Sequence, residues 1–470
     1  MSQQDFHAQI HELMEQASGS EDFFGVLSRL MKAKALPATI DHLVGREVLD
    51  SRGNPTVEVD VYVKYLGQVV FAGRSSAPSG ASTGSGEARE LRDAKSPRYG
   101  GKGTATASKN VGEKLSPALK GMTLESLTAL DNKICETDGT ELKEVVGGNA
   151  CTAASFALAE AAAALQEEQL FLYFARNYFG AENMPKKFRL PVPFFNIING
   201  GKHAGGKLKI QEFMVAAKRE FPFPEGLRMV AEVYQKLGGL LAKEYGVSAK
   251  NLGDEGGFAP LLDTPDQALS IIERAVEAAG YKPGVEIVFG LDAAASEFYD
   301  HKTGKYEVEV GMFKTGEEMV TYWEELINRH PAIVSIEDGL DEQDFPTWQL
   351  LTARLGGRIQ LVGDDLYTTN PKTIAKGIEG KWANALLLKV NQIGTITEAM
   401  QAARLIFNAG QNVMVSHRSG ETCNSVIADI AVGIGAQYLK TGSTARGERI
   451  QKYTRLLQIY EYLKERDMLE

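Results

Sequence analysis

From about residue 190 to the end of the chain, short apolar runs alternate with amphipathic segments that carry helix-capping residues. One such helix is bounded by Thr264 at its N-cap and by Gly280 beyond its end, and Asn370 opens another. Thr395 and Glu398 have the spacing of a capping box at the start of a third. The runs between the helices are almost continuously apolar, as parallel strands covered by helices should be. This alternation predicts a (β/α) barrel, with a doubly wound open sheet as the alternative.

Six consecutive strands of this pattern each end in an ionisable residue. In chain order these residues are Asp292, Glu337, Asp364, Lys389, the pair His417-Arg418, and Lys440. In a barrel the carboxyl ends of the strands meet on one face, where the active sites of barrel enzymes lie. Helix caps and surface salt bridges place single charges at strand ends, but six in succession indicate a functional site.

The first three of these residues are carboxylates on adjacent strands. They would raise one another's pKa unless a cation lay between them. Oxygen ligands without cysteine favour Mg²⁺ over zinc; the alternative is that each carboxylate pairs with a basic neighbour. Lys389 follows on the next strand, and it could act as a base if burial and nearby cations lower its pKa. Its alternative role is that of a structural partner of Asp364.

The last strands supply positive charge for an anionic substrate. Arg418 offers a bidentate fork, and residues 419–422 are expected to open a helix whose N-terminal amides favour phosphate. The residues therefore predict a Mg²⁺-dependent barrel enzyme that acts on a small substrate carrying phosphate and carboxylate. A lysine base that faces a metal-bound carboxylate suits abstraction of the proton α to that carboxylate.

The chain before the barrel has a different pattern. Valines alternate with polar residues from Val57 to Val63, and Leu66-Gly67 turns this strand into a second one, so a hairpin is predicted. Residues 105–176 are rich in Ala and Leu and predict several helices, which makes this part α+β. Two amphipathic patterns in the first 38 residues predict a short helical extension. The predicted boundaries are 1–38, 39–184 and 185–470.

Composition excludes several classes of protein. The chain has 51 basic and 61 acidic residues, and this net charge of −10 makes it a poor binder of nucleic acid or anionic membranes. No apolar run reaches the ~18 residues of a membrane span. Three widely spaced cysteines form neither a disulfide framework nor a zinc cluster. The first 40 residues lack the pattern of a targeting signal, so a cytoplasmic location is predicted.

Taken in order, the motifs over residues 40–470 resemble those of the enolase (phosphopyruvate hydratase) family. The sequence REVLDSRGNPTVE at 46–58 resembles its opening strand, PSGASTG at 78–84 its first mobile loop, and NGGKHAG at 199–205 its second. Further matches lie at 211–214, 253–257, 388–394, 416–422 and 440–442. The resemblance implies an α+β N-terminal domain followed by a modified TIM-type (β/α)8 barrel, with the helical extension as an addition.

The resemblance also implies a reaction, the reversible dehydration of 2-phosphoglycerate to phosphoenolpyruvate in glycolysis and gluconeogenesis. It implies two Mg²⁺ ions per active site, the second binding with substrate, and a homodimer or higher homo-oligomer. Lys389 would take the C2 proton, while Glu255, sharing a hydrogen-bond network with Glu212, would help the C3 hydroxyl to leave. One of these two carboxyl groups needs a raised pKa to act as an acid near neutral pH.

Specific residues carry the remaining implied roles. The implied catalytic residues are Lys389, Glu255, Glu212, His203 and His417. The implied metal ligands are Asp292, Glu337 and Asp364 for the first ion and Ser82 for the second. Substrate would be bound by Ser79, Gly80, Ala81, Gln211, Arg418, Ser419 and Lys440.

Two rival functions remain open. An enolase relative could act on a different phosphorylated or phosphonylated three-carbon acid, and it would differ around the phosphate and C3. A non-catalytic scaffold with this fold should tend to lose Lys389, Glu255 or a metal ligand, since keeping them costs stability. All of these residues are present, which favours the enzyme.

Overall fold

The computed structural model describes residues 38–65, 67–80 and 84–470. The helical extension predicted for residues 1–38 lies, except for Ala38, outside the described residues. An antiparallel sheet with associated helices comes first, and a closed barrel follows. Within the described ranges, no helix is both long and apolar enough to cross a membrane.

A three-stranded antiparallel sheet begins the described chain. It consists of β1 (Thr39–Leu49), β2 (Pro55–Tyr65) and β3 (Gln68–Ser76). The alternating valines of β2 are fully buried, which confirms the predicted strand and hairpin. The predicted helices follow as α1 (Ala105–Asn110), α2 (Ser116–Leu119), α3 (Leu127–Asp138), α4 (Gly148–Leu165) and α5 (Leu170–Phe179).

Helix α4 is the core of this N-terminal unit. It is rich in alanine and is buried on almost every side, as a helix that is apolar all round must be. A β-carbon at Gly73 of β3 would lie 2.6 Å from both the carbonyl oxygen of Ala157 and the amide nitrogen of Ala161. The glycine is therefore required for the close approach of α4 to the sheet.

Eight strands close into the barrel, and a small antiparallel sheet is inserted among them. The barrel strands are β4 (Val192–Asn199), β5 (Glu212–Ala217), β6 (Ile287–Asp292), β10 (Ile333–Glu337), β11 (Gln360–Gly363), β12 (Ala385–Leu388), β13 (Asn412–Ser416) and β14 (Tyr438–Lys440). The inserted sheet consists of β7 (Tyr299–Asp300), β8 (Lys305–Glu309) and β9 (Met312–Lys314). The closed barrel confirms the predicted architecture over the open sheet.

The barrel departs from a uniformly parallel one at a single strand. Strand β5 runs antiparallel to both β4 and β6, whereas the other barrel neighbours are parallel. Parallel neighbours need a long crossover connection, but the link from β4 to β5 contains only the short helix α6 (Gly201–Ala204). The chain therefore returns directly alongside β4.

Helices cover the outside of the barrel. They are α7 (Phe223–Tyr245), α8 (Pro265–Ala278), α9 (Gly316–Arg329), α10 (Phe345–Leu355), α11 (Pro371–Gly380), α12 (Val390–Ile393), α13 (Ile396–Asn408), α14 (Val426–Gly433) and α15 (Gly447–Glu465). The predicted N-caps Thr264 and Asn370 are confirmed, since each side chain accepts a backbone N–H of α8 or α11.

The third predicted cap is confirmed for Thr395, but the capping box with Glu398 is not formed. The Thr395 hydroxyl accepts the Glu398 amide at the start of α13. The Glu398 carboxylate, however, accepts hydrogen bonds from the Thr395 hydroxyl at 2.7 Å and from Lys143 Nζ at 2.9 Å, instead of closing a reciprocal capping box. Lys143 belongs to the N-terminal unit and is 3% exposed, and a buried ammonium group requires a counter-ion. Glu398 therefore joins the two units.

We expect Glu398→Gln to lower the free energy of unfolding by about 1–3 kcal/mol, because the buried Lys143 loses its charged partner. Glu136→Gln is the matched control, since its ion pair with Lys133 is exposed and is worth at most about 1 kcal/mol. Urea denaturation of both variants measures the difference. Equal small effects would show that the link between the units does not depend on this ion pair.

Candidate active site

A small cavity opens at the carboxyl ends of the barrel strands. Strands β6, β10 and β14 end at Asp292, Glu337 and Lys440, while Asp364, Lys389 and His417 directly follow β11, β12 and β13. The predicted site residues that line the cavity are Gln211, Glu212, Glu255, Asp292, Asp364, Lys389, His417, Arg418, Ser419 and Lys440. The structure thus brings together residues as far apart in the chain as Gln211 and Lys440.

The ammonium group of Lys440 lies among buried carboxylates. Its Nζ is 2.8 Å from Asp292 Oδ2, 2.9 Å from both oxygens of Glu337 and 3.3 Å from Glu212 Oε1. Burial opposes the charged form of Lys440, but the carboxylates outweigh it, so the pKa of Lys440 lies well above its usual value. Burial likewise raises the pKa of Asp292, but Lys440 outweighs it and the net pKa is lowered.

Lys389 has a similar partner. Its Nζ is 2.5 Å from Asp364 Oδ2, and Gln392 Nε2 donates to the other oxygen of the same carboxylate at 2.8 Å. Burial lowers the pKa of Lys389, but Asp364 and Glu337 outweigh it, and the net pKa is above its usual value. Asp364 is therefore the counter-ion of Lys389, and the lowered pKa of a base beside a metal stays a prediction.

Sequence reasoning missed Asp338 and Asp365. Asp338 accepts the backbone amides of Asp364 at 2.9 Å and Asp365 at 2.8 Å, and carboxylate oxygens of all three lie within 4.8 Å of one another. Asp338 adopts a positive φ of 41°, which turns the chain back toward these amides. The signal in the sequence was the doubled acids Glu337-Asp338 and Asp364-Asp365, of which only the first members were considered.

The donor set fits a divalent cation. The two lysines face five carboxyl groups, which belong to Asp292, Glu337, Asp338, Asp364 and Asp365. Burial and neighbouring carboxylates raise the pKa of Glu337, Asp338 and Asp365 well above the usual range, the expected response of excess buried negative charge. Buried oxygen ligands of this kind suit Mg²⁺. The carboxylates are thus both paired with lysines and clustered, and the metal site among them stays a prediction.

Glu212 and Glu255 form a second acidic pair. Glu212 begins β5 and faces Asp292 in the register of β6, and Glu255 lies in the turn 253–257. Both are nearly fully buried. Burial and the adjacent Glu255, to which Glu212 is hydrogen-bonded, raise the pKa of Glu212 well above its usual value. The raised pKa expected at one of these carboxyl groups is therefore found at Glu212.

Glu87 of the N-terminal unit contacts Arg418 in the site, and sequence reasoning missed it. Arg418 donates to both oxygens of Glu87, at 2.8 and 3.2 Å, and to Asn391 Oδ1 at 3.3 Å. Glu87 also accepts the amide of Gly84 at 3.1 Å. It is the first acid after the Gly-rich segment, a position that sequence inspection could have noted. Glu87 thus connects the end of this segment to the guanidinium group.

The helix predicted at residues 419–422 is wrong. Helix α14 begins only at Val426, and Gly420 exchanges two backbone hydrogen bonds with Ser79, at 2.7 and 2.9 Å. The Glu421 carboxylate accepts from the Arg418 amide at 3.1 Å and from Lys452 Nζ at 2.7 Å. These contacts hold the segment extended, so its amides pair with the N-terminal unit instead of forming a helix terminus.

The predicted loop residues are only partly described. Ser79 is buried and donates to Asp50 at 2.6 Å, and the Gly80 carbonyl accepts from Arg52 at 2.8 Å. Ala81 and Ser82 lie outside the described residues. His203 belongs to the short helix α6, and its side chain is likewise outside the description.

Fold and site together define an α/β-barrel enzyme with an α+β N-terminal domain. The barrel matches the family model described as the enolase C-terminal TIM barrel domain over residues 187–469, and residues 40–174 match the enolase N-terminal domain. The enolases of Thermococcus gammatolerans and Thermococcus kodakarensis are 49% and 47% identical over 428 residues, which cover 91% of this chain and 96% of each relative. The chain belongs to the enolase family.

Family membership confirms the resemblance of the motifs and gives the enzyme class. Enolases are phosphopyruvate hydratases, a class of lyase, and act on a small phosphorylated substrate with a metal cofactor. The acidic group at the barrel mouth is consistent with such a cofactor.

Replacing Lys440 by Met should lower the free energy of unfolding by about 3–5 kcal/mol, since it leaves buried carboxylates without their cation. The freed carboxyl groups would bind more protons in the folded than in the unfolded state, so the stability of the variant should fall as pH rises from 5 to 8. Thermal unfolding with chelator at both pH values tests this. Lys372→Met, at an exposed ion pair, serves as control. An equal loss at both pH values would contradict the assigned role.

Proposed function

We propose that this protein catalyses the Mg²⁺-dependent, reversible dehydration of 2-phosphoglycerate to phosphoenolpyruvate in glycolysis and gluconeogenesis. The observation that carries the proposal is that Lys389, the Glu212–Glu255 pair and Arg418 line one cavity. A base, a proton-holding acid pair and an anion-binding guanidinium are the groups that this elimination requires.

Lys389 is proposed to take the C2 proton. Its side chain is 12% exposed and its ammonium group lies beside Asp364. It can accept a proton only when Asp364 no longer serves as its counter-ion. If Asp364 bound a cation, its negative charge would no longer be available to the ammonium group of Lys389. The same carboxylate would then affect both the metal site and the charge of the lysine.

Glu255 and Glu212 are proposed to deliver a proton to the departing C3 hydroxyl group. Glu212 holds the proton because burial and Glu255 raise its pKa, and Glu255 accepts a hydrogen bond from Asn196 at 2.9 Å. His417 lies 3.4 Å from Glu255 and is assigned to the same catalytic group. His203, on the loop between β4 and β5, is proposed to complete it.

The substrate is proposed to lie between the basic residues and the loops. Arg418 and Ser419 would bind the phosphate group, and Lys440 the carboxylate side. Gln211 and the loop residues Ser79, Gly80 and Ala81 would complete the binding site.

Asp292, Glu337 and Asp364 are proposed to hold the first Mg²⁺, and Ser82 is proposed to bind the second, which binds with substrate. When bound, the ions would supply positive charge at the substrate carboxylate and phosphate as Lewis acids. Lys440 holds two of these ligands in place, since its ammonium group donates hydrogen bonds to both Asp292 and Glu337.

Further proposals concern the whole protein. We propose domain boundaries at 1–38, 39–184 and 185–470, a cytoplasmic location, and a homodimer or higher homo-oligomer. The family models, which match residues 40–174 and 187–469, support the division into two main domains. The net charge of −10 supports a protein that binds neither nucleic acid nor membranes.

Addition of 2-phosphoglycerate and Mg²⁺ should produce a rise in ultraviolet absorbance, because the enol product is conjugated and the substrate is not. Excess chelator should abolish the rise. A folded protein that binds Mg²⁺ but gives no rise would refute the proposed substrate. A panel of other phosphorylated and phosphonylated three-carbon acids would then test the alternative.

Lys389→Ala should reduce turnover by roughly 10⁴-fold or more, since no base remains for the C2 proton. The variant should still fold and bind Mg²⁺ in calorimetry, with a loss of thermal stability because the buried Asp364 loses its counter-ion. Lys376→Ala, at an exposed position, is the control and should keep full activity. Near-normal turnover in Lys389→Ala would remove this residue from the role of base.

A further inference from the structure

A buried arginine contacts the imidazole of His417 on the side away from Glu255. Arg449 lies in the first turns of α15 and is fully buried, and His417 is 2% exposed. Nη1 of Arg449 is 2.6 Å from Nδ1 of His417. A guanidinium group has only hydrogen-bond donors and stays charged in proteins. Nδ1 of His417 is therefore the acceptor in this contact.

The other hydrogens on the two terminal nitrogens of the guanidinium group also have acceptors. Nη1 donates to the carbonyl of Arg418 at 2.7 Å, and Nη2 donates to the carbonyls of Ser419 at 2.7 Å and Asp254 at 3.1 Å. With His417, these acceptors account for all four hydrogens on the two terminal nitrogens. Arg449 therefore joins the turn that carries Glu255 to the segment that carries Arg418 and Ser419, and its orientation is fixed by three carbonyl groups that cannot move independently.

The acceptor role of Nδ1 determines where the histidine proton lies. A neutral imidazole has one N–H, so in His417 it is on Nε2, which lies 3.4 Å from Glu255 Oε2. Burial lowers the pKa of His417 to about 4; Arg449 also lowers it and Glu255 opposes this. The ring is therefore neutral near pH 7 and directs its only N–H toward Glu255.

The remaining surroundings of His417 do not change this assignment. Glu421, in the same segment, acts weakly to raise the pKa of His417, but its carboxylate is bonded to Lys452. Strand β14 contacts the histidine through its backbone, since the His417 amide donates to the Lys440 carbonyl at 2.9 Å. The ammonium group of Lys440 is bonded to Asp292 and Glu337.

We propose that Arg449 is a positioning residue that holds His417 as the neutral tautomer with its proton on Nε2, directed at Glu255. The catalytic meaning of this inference rests on the proposed function, whereas the tautomer itself is a property of the protein without substrate. A neutral donor leaves the proton of the Glu212–Glu255 pair in place. A cationic histidine would stabilise the ionised form of Glu255 and remove that proton.

The tautomer can be measured directly in the wild-type protein. In a ¹H–¹⁵N correlation spectrum of protein labelled at its seven histidines, the His417 signals are identified by their loss in His417→Gln. We expect the pattern of a neutral ring protonated on Nε2, unchanged from pH 5.5 to 8. A ring protonated on Nδ1, or a charged ring at pH 7, would overturn the proposal. This measurement does not depend on the folding of an Arg449 variant.

Arg449→Met tests the consequence, with Arg455→Met as the matched control. Arg455 lies on the same helix and pairs with the buried Asp429, so its loss disturbs α15 without touching His417. In Arg449→Met we expect a mixture of His417 tautomers, a protonation midpoint at least about one pH unit higher, and a roughly 10- to 100-fold lower turnover. The loss of turnover should be larger at pH 6 than at pH 8. Arg455→Met should keep the wild-type tautomer and pH profile.

The outcomes separate this inference from the proposed function. A purely structural role for Arg449 predicts the same fractional loss at both pH values and an unchanged His417 spectrum, and that result would overturn the inference. If the wild-type protein shows the Nε2-protonated ring but forms no phosphoenolpyruvate, the proposed function fails and the tautomer assignment stands. If it is active with a different tautomer, only the inference fails.

Discussion

The structure depends on the concentration of buried carboxylates at the mouth of the barrel and on the cations that balance them. Transfer of a charged group from water into a protein costs several kcal/mol unless it is paired. Lys440 offsets that cost for Asp292 and Glu337, and Lys389 does so for Asp364. The barrel geometry makes this possible, because adjacent parallel strands end side by side and place each ammonium group within reach of the neighbouring acids.

The N-terminal domain completes the site instead of merely lying beside it. Glu87 supplies the counter-ion of Arg418 at 3–5% side-chain exposure, and Ser79 pairs through its backbone with Gly420. These contacts join the N-terminal unit to the segment of the barrel mouth that carries Arg418. The Glu398–Lys143 ion pair holds the same two units together away from the cavity.

Proton placement links the acid pair to its surroundings. Burial and the adjacent Glu255 raise the pKa of Glu212, and burial lowers the pKa of His417, which lies 3.4 Å from Glu255. Arg449 lies behind His417, and its side chain donates to this ring and to the carbonyls of Arg418, Ser419 and Asp254. One fully buried guanidinium therefore orders both segments that carry reacting groups.

The sequence by itself determined the barrel and most of the site. The alternation of apolar runs and capped helices, and the ionisable residue at the end of each run, follow from local periodicity, so Asp292, Glu337, Asp364, Lys389, His417 and Lys440 could all be placed on one face. Only the tertiary structure decided the other features. Residues 419–422 do not form a helix, because Gly420 pairs with Ser79. Glu398 does not close a capping box, because its carboxylate binds Lys143. Both partners lie far away in the chain. The raised pKa values of Glu212 and Lys389 depend on burial and on the distances to neighbouring charges, because a pKa responds to the three-dimensional surroundings of a group. The partners Glu87, Asp338 and Arg449 likewise reach the site only through the fold.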